Sequence, residues 1–479
     1  MILKIKKLIN NNKIFNIISK LSKKLKFKTY LIGGYVRDYF LFKKKSYDID
    51  IVTTGNSIIL AKLFSKKINI KNIFFFKKFK TAIIKYKNNN IEFVSTRKEY
   101  YNIYNNKPNV KIYKNIIEDQ NRRDFTINSI AISLNYKSYG KIIDPFKGLK
   151  DIKNKIIKTP INPDITFYDD PLRMIRAIRF YTQLKFKIEN KLILSIKNNI
   201  DRIRIIPIER IIQEFNKIII LKKPSIGLNL MFKLGFISII LPEFVTLKKN
   251  DKIKNLLYKK NFKYTLKVID NISKKTNNLW LKWATLLQNI GKPISISKKF
   301  IKNKKYNFYS HIKISYNMVS KIFYRLKLPM KNDMKYVKKI IKYSNIPIIL
   351  LKNKVKINII KKFIYKIGIK NIKDIILLYY SNIIINNKIK KKKKNNIKNL
   401  IKKIKKINKK YNIENIKLPI NGNDIIKIFN IKQCKKIGII KNYIIKSIIN
   451  GKIKNNYNSV YKLIIKKGKK LNLNINEKN

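Results

Sequence analysis

Apolar residues recur along this chain at two different spacings, and the change from one to the other marks out its elements. Ile5, Leu8, Ile14, Ile17, Ile18 and Leu21 return every three or four positions and predict a first helix within residues 1–28. Thr29–Ile32 is a short apolar run that predicts a buried strand, ending at Gly33-Gly34, with a helix opening near Arg37. Asp48-Ile49-Asp50-Ile51 alternates strictly, which places both aspartates on one face of a strand and both isoleucines in a core. A helix over Ser57–Ile68 follows, then a strand pair from Phe74-Phe75-Phe76 and Thr81-Ala82-Ile83-Ile84, then a strand at Asn90–Val94. Thr96 to Asp119 carries little pattern and predicts a long loop. Phe125, Ile127, Ile130, Ala131 and Leu134 predict a helix on the sheet with Arg122 and Arg123 near its start, and Asp144–Asp151 a turn closing the first domain.

Beyond that turn, alternation fades and helical spacing runs to the end. Asp169-Asp170-Pro171 is a helix start, with Leu172, Ile175 and Ile178 as an apolar stripe beside Arg173, Arg176 and Arg179. Ile206-Pro207-Ile208-Glu209-Arg210 opens another helix, and Gly235 to Glu243 punctuates a change of helix pair. The fold class expected is α+β: a sheet-containing head over 1–155, a helical neck over 156–245, a helical body over 246–385, and a basic linker with a helical tail over 386–479.

Composition changes this picture in one respect. The chain has 479 residues, 112 of them Lys or Arg against 25 Asp or Glu, a formal net charge of +87. Lys, Ile and Asn dominate even the apolar helices, as expected of an AT-rich coding sequence, so part of the charge is drift. The charge nevertheless attracts polyanions, RNA foremost. No apolar run approaches the ~20 residues needed to span a bilayer, so no membrane partner is expected. The single Cys434 excludes an internal disulfide and fits a reducing, cytoplasmic setting, and the single His311 excludes a multi-histidine metal site. The basic N-terminus lacks Arg and a small-residue cleavage site, and reads as a helix rather than a targeting peptide.

Two stretches carry chemistry. In the first, backbone amides at the Gly33-Gly34 turn allow close approach of a phosphate. Asp48 and Asp50, side by side at the end of a buried strand, repel unless a cation sits between them, and an all-oxygen site suits Mg²⁺. In the second, Arg122-Arg123 at a helix start would make an anion site suited to a triphosphate.

Gly33-Gly34-Tyr35-Val36-Arg37-Asp38, Asp48-Ile49-Asp50, Arg122-Arg123-Asp124-Phe125-Thr126-Ile127-Asn128 and Asp169-Asp170-Pro171-Leu172-Arg173 together resemble the motifs of the class II tRNA nucleotidyltransferase and bacterial poly(A) polymerase family. The resemblance implies a nucleotidyltransferase-type mixed sheet, with Asp48 and Asp50 as catalytic Mg²⁺ ligands and Glu92 helping to deprotonate the attacking hydroxyl. It implies Gly33, Gly34, Arg37, Arg123, Asp170, Arg173, Arg176 and Arg179 for nucleotide. Asp170 would accept from the amine of cytosine or adenine while Arg173 donates to the ring nitrogen, so that uracil and guanine are rejected. Here Asp169 replaces the family's usual Glu.

The function implied is template-independent addition of CCA to tRNA 3′ ends from CTP and ATP, with release of diphosphate. Poly(A) synthesis, or addition of CC or A alone, remains open, as does an RNA-binding protein with a dead site. The segment Gln288-Asn289, with His311, lines up with an HD domain whose His-Asp pair is lost, which argues against a phosphohydrolase and for a helical scaffold. Lys388–Lys394 reads as a flexible solvated run.

Overall fold

The computed structural model describes residues 9, 12–43, 46–77, 80–100, 109–112, 115–249, 259–295, 310–351, 355–385 and 391–473. These fall into two compact units, Met1–Pro242 and Glu243–Asn479.

The strands of the first unit are β1 (Thr29–Ile32), β2 (Asp48–Thr53), β3 (Ile73–Phe76), β4 (Thr81–Tyr86), β5 (Asn89–Ser95), β6 (Arg97–Tyr100), β7 (Asn109–Ile112), β8 (Ala131–Ser133) and β9 (Ile142–Ile143). Seven of them form a mixed sheet in the order β3-β4-β5-β2-β1-β8-β9. β2 runs parallel to β5 and antiparallel to β1. The alternation expected for β2 is what the sheet uses. Ile49 and Ile51 enter a core with Leu31, Ile91 and Phe93, to which helices α1 (Lys13–Lys24), α2 (Gly34–Phe42) and α3 (Ser57–Lys67) add Phe15, Val36 and Phe64. The other face carries a smaller cluster of Tyr30, Ile32, Val52, Val94, Ile116 and Ala131, and Asp48 and Asp50 project on that side.

Biased composition is still used locally. Asn12, Asn56, Asn115, Asn162, Asn278, Asn421 and Asn456 cap helix N-termini with their side chains, work that an apolar replacement could not do. At the other ends the bias has a cost. Lys43, Lys155 and Lys185 close their helices at φ of 55°, 57° and 59°, where glycine is the unstrained choice.

The structure corrects several expectations. Within the patternless 96–119 segment, β6 and β7 pair as an antiparallel ladder, followed by helix α4 (Ile116–Asn121). Phe125 to Leu134 is not one long helix but a single turn, α5 (Thr126–Ser129), running into β8. Its apolar residues are buried as expected, but divided between that turn, which holds Ile127, and the strand, which holds Ala131. Asp144 receives Gly148 N at 2.7 Å and Leu149 N at 2.9 Å, so its turn also starts helix α6 (Gly148–Asn154). Two short strands, Ile156–Ile157 and Lys187–Ile188, pair in the otherwise helical neck. Ile5 and Leu8 of the first helix lie outside the described residues.

Neck helices α7 (Pro163–Asp169), α8 (Leu172–Leu184), α9 (Asn190–Asn199) and α10 (Ile208–Ile220) complete the parts of the first unit used below. The second unit is helical throughout its described residues. Fully buried Trp283 packs on Phe323, and toward the C-terminus Gly422–Phe429, Lys435–Ile449 and Tyr457–Lys469 share a core of Ile425, Ile440, Ile444, Val460 and Ile464. Lys391–Tyr411 forms a helix where a flexible run was expected, Lys388 to Lys390 lying outside the described residues. Among the described residues no helix is long and apolar enough to cross a membrane.

Candidate active site

The acid cluster follows from strand register. Asp50 lies directly opposite Glu92, and Asp48 opposite Asn90, whose side-chain amide donates to Asp48 Oδ1 at 2.9 Å. Residues directly opposite share a face, so all three carboxylates stand on one side of the sheet. Asp48 is exposed and Asp50 half-buried. Burial pushes the Asp50 carboxyl up, Arg123 opposes this, and Asp48 and Asp119 push it further up. Gly33 makes the arrangement possible. It turns the chain at φ 81°, and a Cβ there would come within 2.5 Å of Asp50 Oδ2 and 3.1 Å of Arg123 Nη1.

These residues fit a hard divalent cation. The donors are carboxylate oxygens, and burial of Asp50 disfavours its charge, which a cation would offset. Among the described residues no three His, Cys, Asp or Glu side chains close on one point. Mg²⁺ here would therefore take one or two carboxylates, with water and phosphate oxygens completing its shell, which is its usual habit in nucleotide sites.

The arginines are set differently from expectation. Arg122 and Arg123 follow the C-terminal end of α4, not a helix start, so the helix dipole does not build this anion site. A carboxylate builds it instead. Asp119, fully buried, accepts from Arg122 Nε at 2.9 Å and from Arg123 Nε at 3.3 Å. Burial would raise its carboxyl, but Arg122 and Arg123 overcome that and hold it below the usual carboxylate range. Asp119 precedes the arginines by three and four residues, the spacing of helical ion pairs, which was the signal available in the sequence.

Helix α8 forms the opposite wall. Asp170 Oδ1 receives Leu172 N at 3.1 Å, so the expected acidic cap is present although helical geometry begins at Leu172. Its Oδ2 accepts from Arg210 Nη2 at 3.1 Å. Arg173 is buried and donates to two backbone carbonyls, those of Thr166 and Arg122. Asp170 and Arg173 therefore both face the cleft, each already holding partners. The cleft, about 290 Å³, is walled by Asp50, Glu92, Arg122, Arg123, Asp124, Asp170, Arg173, Arg176 and Arg210.

Arg37 and Arg179, expected on the nucleotide, do not line this cleft; they belong to an interlock beside it. Arg37 Nη1 donates to Asn128 Oδ1 at 2.8 Å, and Asn128 Nδ2 to Asp124 Oδ1 at 2.9 Å. Asp124 Oδ2 takes Arg176 Nε at 2.9 Å, and Arg179 Nε reaches Glu214 Oε2 at 2.7 Å. The Phe180 ring lies 4.0 Å from the Arg179 guanidinium and 4.9 Å from that of Arg37. Burial opposes ionisation of Asp124, yet Arg176, Asn128 and Arg173 bring its carboxyl down to about 2. The interlock ties the Gly-Gly turn to the neck. Gly34 sits at its start, 3.8 Å from Arg37 Nη2 for an added Cβ, outside the cleft wall. Sequence reasoning did not single out Asp119, Asn128 or Phe180, and read Arg210 and Glu214 as support only.

In the second unit, Gln288 exchanges amide contacts with Asn382 at 3.3 and 3.5 Å, and Asn289 Nδ2 lies 3.5 Å from Thr265 Oγ1. His311 is buried, and its neighbours 308 and 309 lie outside the described residues. Both amides thus serve as internal contacts of the helical packing.

A mixed sheet bearing paired acids opposite a third, reached by a glycine turn and an arginine pair held on a buried aspartate, defines a nucleotidyltransferase-type head. Residues 29–158 match the profile described as "Poly A polymerase head domain", and residues 185–247 that of a "Probable RNA and SrmB- binding site of polymerase A". Residues 29–158 and 185–247 are thus similar to the head and RNA-binding parts of the poly(A) polymerase family. It is 38% identical over 192 residues to a CCA-adding enzyme of Lactobacillus helveticus, covering 40% of this chain and 46% of that one. It is 41% identical over 161 residues to an A-adding tRNA nucleotidyltransferase of Aquifex aeolicus, covering 34% of this chain and 19% of the relative. The chain thus spans about half the length of the Lactobacillus relative and less of the Aquifex one. The fold is shared with a Bacillus stearothermophilus CCA-adding enzyme solved in complex with CTP, at TM-score 0.66 and 19% identity, over 96% of this chain and 99% of that one.

Proposed function

We propose that this protein is a template-independent nucleotidyltransferase that adds C, C and A to the 3′ end of tRNA, using CTP and ATP and releasing diphosphate. The observation that carries it is the register that sets Asp50 opposite Glu92 in one cleft with Arg123, Asp170 and Arg173. In this reading the RNA 3′-hydroxyl attacks the α-phosphorus of the nucleotide and diphosphate leaves. Asp48 and Asp50 would hold Mg²⁺, which when bound supplies Lewis-acid activation of the hydroxyl and charge stabilisation for the leaving diphosphate. Glu92, on the same row of the sheet, is placed to take the hydroxyl proton. Arg122 and Arg123, held by Asp119, offset the triphosphate charge.

Base choice would fall to Asp170 and Arg173. Two of the five N–H donors of Arg173 are given to backbone carbonyls, which fixes the guanidinium plane. A carboxylate acceptor beside a guanidinium donor matches the amine and ring nitrogen of C or A. U or G would leave these polar groups unpaired, at a cost of about 1–3 kcal/mol for each. Arg37, Arg176 and Arg179 support the same wall through Asn128, Asp124 and Glu214. A cytoplasmic location accords with the single cysteine.

The test is incorporation on tRNA lacking its CCA end, with CTP and ATP given separately and together. CTP alone should add two nucleotides and both together three. The 41% match to an A-adding enzyme favours a second reading, addition of A alone, which would appear as extension only of tRNA already ending in CC. Asp50→Ala should lose at least about 100-fold in rate; unchanged incorporation would refute the assignment.

A further inference from the structure

The register of the sheet extends the acid row to the edge. Asp50 pairs with Glu92, Glu92 with Ile83, and Ile83 with Phe74, so all four side chains share one face in a single line across β2, β5, β4 and β3. The neighbouring line runs Val52, Val94, Thr81, Phe76. On the other side of the acid line lie Asp48, Asn90 and Lys85. Phe74 is 58% exposed and Phe76 48%, Ile83 is half-buried and Lys85 exposed. Phe75 points to the opposite face, where Lys62 lies 5.7 Å from its ring centre.

We propose that Phe74 and Phe76, with Ile83 between them and the acids and with Lys85 alongside, form a shelf on which unpaired bases of the RNA strand stack while its 3′ end lies at Asp50. This rests on the function proposed above and names where its RNA substrate is held. The continuity of the line is the first argument. Three strand spacings of about 4.8 Å put the Phe74 backbone about 14 Å from that of Asp50, a reach of a few stacked nucleotides. The chemistry is the second. Two exposed aromatic rings with an adjacent ammonium group offer stacking to any base and charge to its phosphates, a combination that binds single strands without reading sequence. A strand that must advance one nucleotide at a time needs a hold of that kind. Position is the third. Ile73 packs on the core side and Phe75 turns to that same side, 39% exposed, so Phe74 and Phe76 are the two rings of this edge strand that lie on the acid face.

Phe74→Trp gives the direct readout, because a stacked base quenches indole fluorescence. Adding a short single-stranded RNA ending in two cytidines should quench it, and poly-anionic heparin should not. Phe74→Leu with Phe76→Leu keeps apolar bulk and removes the rings. The double variant should raise the KM for RNA about tenfold, leave kcat and the KM for CTP within about twofold, and keep the thermal midpoint of the parent. An unchanged RNA KM, an equal rise in both KM values, or no quenching by RNA overturns the shelf. Concentration-dependent self-association through the patch without RNA quenching does so too, by assigning the surface to protein. Absence of nucleotide incorporation by the unaltered protein would instead sink the proposed function, while quenching and RNA binding would still report on the shelf.

Discussion

Gly33 is the residue at which local conformation and site geometry meet. A side chain there would need the left-handed φ of 81° and would press on the Asp50 carboxylate. Gly33→Ala should reduce incorporation at least about 100-fold and cost about 1–3 kcal/mol of stability by urea titration; retention of full rate would show that the turn can shift without harm. Charge at single residues gives two predictions of opposite sign. The Asp124 carboxyl lies at about 2 in the folded chain against an ordinary value of 3.8, so its contribution is present above about pH 4 and fades as pH falls toward 2. That contribution is about 2 kcal/mol, and Asp124→Asn should flatten the acid limb of a stability profile by that order. Asp50 goes the other way. Its folded carboxyl is raised, so stability falls as pH rises through that range and its ionised form costs stability near neutrality. In metal-free buffer Asp50→Asn should melt higher than the parent, and added Mg²⁺ should raise the midpoint of the parent and not of the variant.

Helix ends show how composition and geometry compete at the level of the element. Asparagine caps suit the termini they occupy, whereas Lys43, Lys155 and Lys185 hold left-handed conformations that favour glycine. Lys185→Gly should stabilise the protein by about 1 kcal/mol, read as a higher urea midpoint with unchanged slope. The buried interlock matters more to stability than any one helix end. Glu214 meets Arg179 at 2.7 Å and Lys217 at 2.8 Å, and removing it as Glu214→Ala would leave Arg179 with its charge buried beside Phe180. The expected loss is about 3–5 kcal/mol, measurable by chemical denaturation. The elements that sequence reasoning misplaced were those whose partners are distant. Strand β6, Arg97-Lys98-Glu99-Tyr100, lacks apolar alternation and β7 is only four residues long, and Phe125 to Leu134 matches a helical count although Ala131 and Ile132 pair in a sheet with Ile32 and Leu31.

Across the whole molecule, a net charge of +87 attracts polyanions, and under the proposed function it would have to be screened for RNA to be released. RNA affinity should fall steeply and linearly in log–log salt titration, by at least about tenfold between roughly 50 and 200 mM. Under the same proposal the KM for CTP should change far less, since its phosphates would meet a few fixed arginines. A flat RNA response would mean that the lysines do not touch the strand. Within the second unit, Gln288 and Asn289 are engaged with Asn382 and Thr265.

The sequence by itself determined what depends on neighbours along the chain. The alternation of Asp48-Ile49-Asp50-Ile51, the glycine turn, the Asp170-Pro171 helix start and the helical spacing of the C-terminal half are local, and side-chain direction follows from them. Tertiary structure decided what depends on register and burial. It opposed Glu92 and Phe74 to the acid line, gave both arginines of the 122–123 pair to Asp119, and drew Arg37 and Arg179 out of the cleft into an interlock. A guanidinium goes where buried carboxylates and carbonyls need a donor, and no spacing in a linear chain records which of them will be buried together.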